Sequence, residues 1–473
     1  MAVSKLIYRQ IDDYVEKHKA EMISDILTLC RIDSEKMPYQ MGSPFGVGIT
    51  QALSTALNIA EGYGFTINNY DNYVGTADLA PDKEKRLDIL AHLDVVPAGE
   101  GWTVTKPFSP VEKDGRLYGR GTADDKGPAM AALLAMRCVK DLAIPVSGNV
   151  RLILGTDEET ASVDIRHYYE VEDEAPMTVS PDADFPVINV EKGRYQPVFH
   201  RNFEARNPMP GILGIKAGIR QNVVPGRASA VISGLDDNLV RDAGKKLTKK
   251  IGVRFTVTGA EGGLEVTAEG ETCHASAPAE GKNALTALIA LLAELPFADS
   301  ARVRTVRDLA KLFPYEDMTG KALGIDLEDE VSGRTTAVLS VLEMDEDELT
   351  FGIDCRVPAC GNKQNVVEPV KAAAGKYGFA LSSEDMVQAH VVSPDSRFVR
   401  TLLDAYRTVT GEEGYCRSTG GGTYVHDLKN GVAFGASMPK TDNRMHAADE
   451  FAEISDLTQA AKIYAVAIAE LCK

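Results

Sequence analysis

Leu87-Asp88-Ile89-Leu90-Ala91-His92-Leu93-Asp94-Val95-Val96 is an apolar run of the kind that forms a strand covered on both faces. His92 and Asp94 are its polar intruders. Two residues apart on an extended strand, they share a face. Pro97-Ala98-Gly99 closes the run with a turn. Open α/β sheets gather their ligands at the carboxyl ends of such strands. Taken alone, the pair reads first as a structural His–Asp contact in a core.

Working outward, the flanking segments alternate between helical and apolar-run patterns. Residues 5–31 carry Leu6, Ile7, Ile11, Tyr14 and Val15 at helical spacing, and Gln51–Tyr63 repeats the pattern with Leu53, Leu57 and Ile59. Further apolar runs follow at Val150–Gly155 and Met177–Ser180, with an Ala-, Leu- and Met-rich helix predicted over Pro128–Lys140. This alternation predicts an α/β fold with a mainly parallel sheet. Near residue 190 the texture changes to short β-like runs, among them Ala228–Ser233, Arg254–Thr258, Leu264–Ala268, Ala337–Leu342 and Glu348–Cys355. From about residue 396 the first texture returns. The expected organisation is a discontinuous catalytic domain, 1–190 and 388–473, interrupted by an inserted α+β lid domain, 191–387.

Four more segments place acids or a histidine at the ends of predicted elements. Gly119-Arg-Gly-Thr-Ala-Asp-Asp-Lys-Gly127 sets Asp124 and Asp125 before a helix, where negative charge is favoured. A phosphate-binding loop is the rival reading, but Gly-x-x-x-x-Gly-Lys-Ser/Thr is absent and two carboxylates repel phosphate. Thr156-Asp-Glu-Glu-Thr160 follows the run ending at Gly155, and Ser180-Pro-Asp-Ala-Asp184 follows Met177–Ser180. Met445-His446-Ala-Ala-Asp-Glu450 precedes a helix-like stretch near the C-terminus. Each has a bland reading as a cap or a solvated loop. Clustered carboxylates at converging strand ends are costly without a cation, so jointly they point to metal-assisted chemistry.

The net charge of −18 repels phosphate backbones and anionic bilayers, which argues against nucleic-acid and membrane partners. No stretch approaches 18 apolar residues, and the N-terminus shows no signal-peptide pattern. Cys30, Cys138, Cys273, Cys355, Cys360, Cys416 and Cys472 are scattered, with no Cys-x-x-Cys pair. Free thiols in a cytoplasmic protein are the expectation.

His92-x-Asp94, Gly119–Gly127, Asp157-Glu158-Glu159-Thr160, Ser180-Pro-Asp182 and His446 together resemble the dinuclear metallopeptidases of the aminoacylase/carboxypeptidase family. Pro44-Phe-Gly46, Asp71-Asn-Tyr73, Pro181-Asp-Ala-Asp-Phe-Pro186 and Glu191-Lys-Gly193 are similar to its bacterial dipeptidase branch, peptidase V. The resemblance implies two divalent ions, zinc first, with manganese and cobalt as the other candidates. His92, Asp124 and Asp182 would hold one ion, and Asp124, Glu159 and His446 the other. Asp94 would orient His92 through its other ring nitrogen. Glu158 would be the general base toward a water between the ions. The resemblance also implies a cis Asp124–Asp125 peptide. In the inserted domain, Glu271-Thr-Cys-His-Ala-Ser-Ala-Pro278 looks like the family's lid motif, with His274 stabilising an oxyanion. Asn222 would place the substrate, Arg356 would clamp its carboxylate, and Gly421 and Gly422 would add backbone N–H groups. One departure is Val425-His426-Asp427, where several relatives carry an arginine.

The leading expectation is a monomeric metal-dependent dipeptidase acting on small peptides with a free C-terminal carboxylate. The alternatives are an amidohydrolase of N-acyl amino acids, of the aminoacylase or succinyl-diaminopimelate desuccinylase type, and a non-catalytic metal-binding protein on the same fold. Glu158 argues against the last, since metal binding does not require it.

Overall fold

The run at Leu87–Val96 does build a strand, over Lys85–His92, buried from Leu87 onward. It stops two residues before Asp94 because its neighbour Asn149–Gly155 also ends there, in parallel register with His92 opposite Gly155. These features come from a computed structural model, which describes residues 5–203, 208–384 and 386–473.

The chain divides into two units: Met1–Val190, Val391–Arg417 and Gly422–Lys473 form the first, and Glu191–His390 with Ser418–Gly421 the second. In the first, the sheet runs in the order Thr66–Tyr70, Val74–Asp78, Asn149–Gly155, Lys85–His92, Thr178–Ser180, Gly431–Ala433, Val187–Glu191. Its centre is parallel, from Asn149–Gly155 to Gly431–Ala433, and its flanks are antiparallel. The expectation of a mainly parallel sheet therefore describes the centre, where helices cover both faces and crossovers are long.

Helices Lys5–Cys30, Lys126–Asp141 and Ile454–Leu471 pack against one another in the core of this unit. Lys126–Asp141 is buried almost all round, which its Ala, Leu and Met content permits. Lys126 is itself buried, and its ammonium donates to the carbonyls of Leu29 (3.2 Å) and Ile32 (3.0 Å) at the end of the first helix. That contact satisfies C-terminal carbonyls which helix geometry leaves open.

The second unit is built on an antiparallel sheet of alternating burial, in which Gly211–Ala217, Arg227–Ser233, Gly263–Glu269, Thr336–Met344 and Glu348–Val357 are prominent. Helices Asp237–Ile251 and Ala284–Glu294 pack on it. Asp236 caps the first of these by accepting from the N–H of Asn238 (3.0 Å) and Leu239 (3.2 Å), and Gly252 at φ 74° ends it. All seven cysteines are free thiols. Among the described residues, no helix is long and apolar enough to cross a membrane.

Candidate metal centre

Three parallel strands end on the same edge of the first sheet, and each delivers acids or a histidine at or just beyond its last residue. His92 closes Lys85–His92, Glu158 and Glu159 follow Asn149–Gly155, and Asp182 follows Thr178–Ser180. Asp124 arrives from the turn before helix Lys126–Asp141, and His446 from a loop before Phe451–Glu453.

The donor atoms converge. Nε2 of His92 lies 2.8 Å from Oδ1 of Asp124 and 3.8 Å from Oδ2 of Asp182. Nε2 of His446 lies 2.8 Å from Oδ2 of Asp124 and 3.4 Å from Oε1 of Glu159. Asp124 thus presents one oxygen to each histidine. His92, Glu158 and Asp182 offer ligand atoms all within 4.8 Å of one another, and so do His92, Asp124 and Glu159.

These contacts do not satisfy the atoms that make them. Nε2 of His92, Oδ1 of Asp124 and Oε1 of Glu159 are buried without a hydrogen-bond partner. Buried polar atoms are almost always paired. Orphans from three segments aimed at a shared point fit a cation that completes them. Imidazole nitrogen with carboxylate oxygen is a donor set for zinc, manganese or cobalt.

The electrostatics follow from crowding. Burial, reinforced by neighbouring carboxylates, pushes Glu158, Asp182 and Glu159 above the usual carboxylic range. Burial acts in the same sense on Asp124, but the contacts with His446 and His92 overcome it and hold that carboxylate well below the range. Asp124 in turn raises His446 to about 11, with Glu159 adding to it. Burial opposes the charged form of His92, yet Asp124 and Asp94 raise it well above an ordinary imidazole. Bound cations lower the pKa of every one of these groups, which opposes the shifts of all but Asp124 and adds to that of Asp124.

The supporting contacts differ from the expected ones. Nδ1 of His92 meets the main-chain oxygen of Asp94 at 2.9 Å, and the Asp94 carboxylate only at 3.5 Å. That carboxylate instead accepts the backbone N–H of Glu158 (3.2 Å) and Glu159 (3.1 Å). Asp94 stands past the end of its strand, so its side chain is released from the face it would share with His92 and reaches the neighbouring strand's turn. Asp125 occupies the N-cap position of helix Lys126–Asp141 but makes no capping bond; its Oδ2 accepts the N–H of His92 at 3.2 Å. The Asp124–Asp125 peptide is cis.

Two residues of this surround went unassigned in the sequence. Asp164 accepts the N–H groups of Thr156 (2.5 Å) and Asp157 (3.0 Å), and the Tyr424 hydroxyl donates to the same oxygen. Together they brace the turn that carries Glu158 and Glu159. Asp164 reads in sequence as an ordinary acid in a helix first turn, and only its burial sets it apart.

In the second unit, Asn222 and His274 lie on paired segments, with Ala275 N–H donating to Asn222 O at 2.9 Å and Val223 bridged to His274. Nδ1 of His274 lies 2.6 Å from the Ser276 hydroxyl and 3.3 Å from the Ser276 backbone nitrogen, which holds the ring through that edge. Arg356 is buried. Its Nε and Nη2 engage Asp354 (2.7 and 2.9 Å), and Nη1 donates to Gly420 O at 2.8 Å. One edge of the guanidinium is therefore already committed within the protein. Gly421 donates its N–H to Thr419 Oγ1 at 3.1 Å, so that group is not open to a carboxylate, contrary to expectation.

The model of peptidase family M20/M25/M40 matches residues 89–470, a span that includes every metal-facing residue of the centre. The chain belongs to this family. As an M20 peptidase it is a hydrolase of peptide bonds whose chemistry depends on divalent metal. It is 36% identical to the putative dipeptidase YtjP of Bacillus subtilis over 97% of this chain and 99% of the relative. It is 33% identical to the Beta-Ala-Xaa dipeptidase of Lactobacillus delbrueckii subsp. lactis, over 98% of each chain. Among solved structures it shares its fold with human carnosine dipeptidase 1, at a TM-score of 0.58 and 16% identity, covering 98% of this chain and 99% of that one.

Proposed function

We propose that this M20 peptidase is a dipeptidase that uses two divalent ions, zinc in the first instance, and cleaves dipeptides with a free C-terminal carboxylate. The carrying observation is Asp124, whose two oxygens each face a different histidine at 2.8 Å. A carboxylate so placed serves two ions at once. His92 and Asp182 complete one set, Glu159 and His446 the other. When bound, the ions polarise the scissile carbonyl and lower the pKa of water.

Glu158 is the acid left over. Its backbone is fixed through Asp94 and its carboxyl is biased toward holding a proton, which suits a group that takes a proton from water and returns it to the leaving amine. For the second unit we assign His274 to the carbonyl oxygen as charge develops there, and Asn222 to substrate placement. The N–H groups of Arg356 not engaged by Asp354 and Gly420 receive the substrate carboxylate. The curated relatives are named dipeptidases, which supports the short-peptide reading. A monomer acting in the cytoplasm completes the proposal.

The test is a metal-restored hydrolysis assay. Protein stripped with chelator is reloaded with zinc or manganese and offered dipeptides, including β-alanyl ones, beside tripeptides and N-acyl amino acids. Turnover confined to dipeptides is the expected result. Preferred turnover of N-acyl amino acids moves the enzyme to the deacylase reading.

A further inference from the structure

His446 is the one ligand of the centre that stands on an exposed loop. Its backbone has φ 60°, and Arg444 and Asp449 nearby have φ 57° and 58°. Left-handed backbone at three non-glycine residues is unfavourable, so the loop needs support from outside itself. Asp449 supplies part of it by accepting the N–H of Thr103 (2.8 Å) and Val104 (2.9 Å) and the Thr103 hydroxyl (2.6 Å).

Glu450 makes a different connection. It is fully buried, and Arg120 beside it is 1% exposed. Oε1 of Glu450 accepts the N–H groups of Gly121 and Ala123, both at 3.0 Å, and its main-chain oxygen accepts the N–H of Gly119 at the same distance. Oε2 pairs with Nη1 of Arg120. The turn held in this way is the one that ends in Asp124. One side chain, four positions after His446, thus grips the backbone leading to Asp124 on a segment far away in the chain.

We propose that Glu450 is a positioning residue that sets the offset between Asp124 and His446, and so governs affinity for the ion those two residues share. The ion pair with Arg120 neutralises the buried charge; the acceptor on Gly121 and Ala123 N–H does the positioning. This rests on the two-ion reading above. It differs from a merely structural role in predicting a selective loss of one ion.

Two variants separate the parts. Glu450→Asp keeps the charge and the partner but withdraws the acceptor by one methylene. Arg120→Met with Glu450→Gln deletes the ion pair and keeps an acceptor of the right length. Each is titrated with cobalt(II), followed by visible absorption and calorimetry, beside the wild type. In Glu450→Asp one ion is expected to bind like wild type and the other about 10- to 100-fold more weakly, with activity recovered at high metal concentration. The double variant is expected to bind both ions within a few-fold of wild type. Unchanged binding of both ions by folded Glu450→Asp, or an equal loss in the two variants, overturns the proposal. A wild-type protein that takes up a single ion overturns the two-ion reading itself, and the inference with it.

Discussion

His92 and Asp124 meet at 2.8 Å, nitrogen to oxygen, yet both atoms are buried without a hydrogen-bond partner. Protons and metal ions compete for that space. His446 is raised to about 11, chiefly by Asp124, so in the metal-free protein its ring is protonated at neutral pH. A group raised in this way stabilises the folded state fully below its unfolded pKa, about 6.5, and that stability is lost as pH rises toward 11. Metal binding must displace the proton. Two outcomes are expected: calorimetry in buffers of different ionisation enthalpy shows proton release on loading at about pH 7, and the gain in Tm on adding metal is larger at about pH 8.5 than at about pH 6. A gain independent of pH contradicts this account.

Glu158→Gln removes the proton acceptor while preserving shape. Because Asp124, Glu159 and His446 are untouched, metal stoichiometry should stay at the wild-type value. Dipeptide kcat should fall about 10²- to 10⁴-fold, the usual contribution of a general base. The variant's metal content, measured beside its kcat, distinguishes loss of chemistry from loss of the ions.

Much of the centre was legible in the sequence because it hangs on strand ends. Apolar runs predicted Asn149–Gly155 closely and Lys85–His92 with an overrun to Val96, and the parallel register of the two strands carries His92 to the same edge as Glu158 and Glu159. The ligand set itself came from the resemblance. The supporting shell was not legible. Asp94, Asp125 and Glu450 each bind backbone N–H groups, and a backbone donor leaves no mark in the amino-acid code. Arg120 and Glu450 are 330 positions apart, so nothing local announces their pairing. The order of the sheet's antiparallel flanks was hidden for the same reason, since register depends on partners distant in the chain.

Gly155 has no room for a side chain. A Cβ there would collide with the Tyr424 hydroxyl and sit 2.7 Å from Oδ2 of Asp164. Gly155→Ala should therefore force apart the pair that braces the Thr156–Glu159 turn. The expected cost is about 1–3 kcal/mol of stability, typical of overpacking. Activity should fall further than the folded fraction does, because Glu158 and Glu159 follow directly. Chemical denaturation and kcat/KM measured on the same preparation check the two effects, and an alanine variant with wild-type kcat/KM contradicts the bracing role.

Asp88 lies toward the other end of the same strand from His92, fully buried, with neither oxygen in a well-formed hydrogen bond. Burial pushes its carboxyl up to about 7, against the pull of Arg151 and Lys85 and with Asp78 adding to the rise. In the unfolded chain an aspartic acid titrates at about 3.9. The folded protein therefore holds this proton over a range in which the unfolded chain has lost it. The resulting stability is fullest below about pH 4 and is lost as pH rises through about 7, a swing on the order of 4 kcal/mol. An asparagine in this place has no proton to lose. The Asp88→Asn variant should come closest to wild type in Tm below about pH 4 and exceed it by a margin that grows up to about pH 7 and then levels off, with dipeptide turnover at about pH 8 unchanged because the metal centre is at the other end of the strand. Equal Tm for the two proteins at the higher pH would show that Arg151 and Lys85 already neutralise an ionised Asp88.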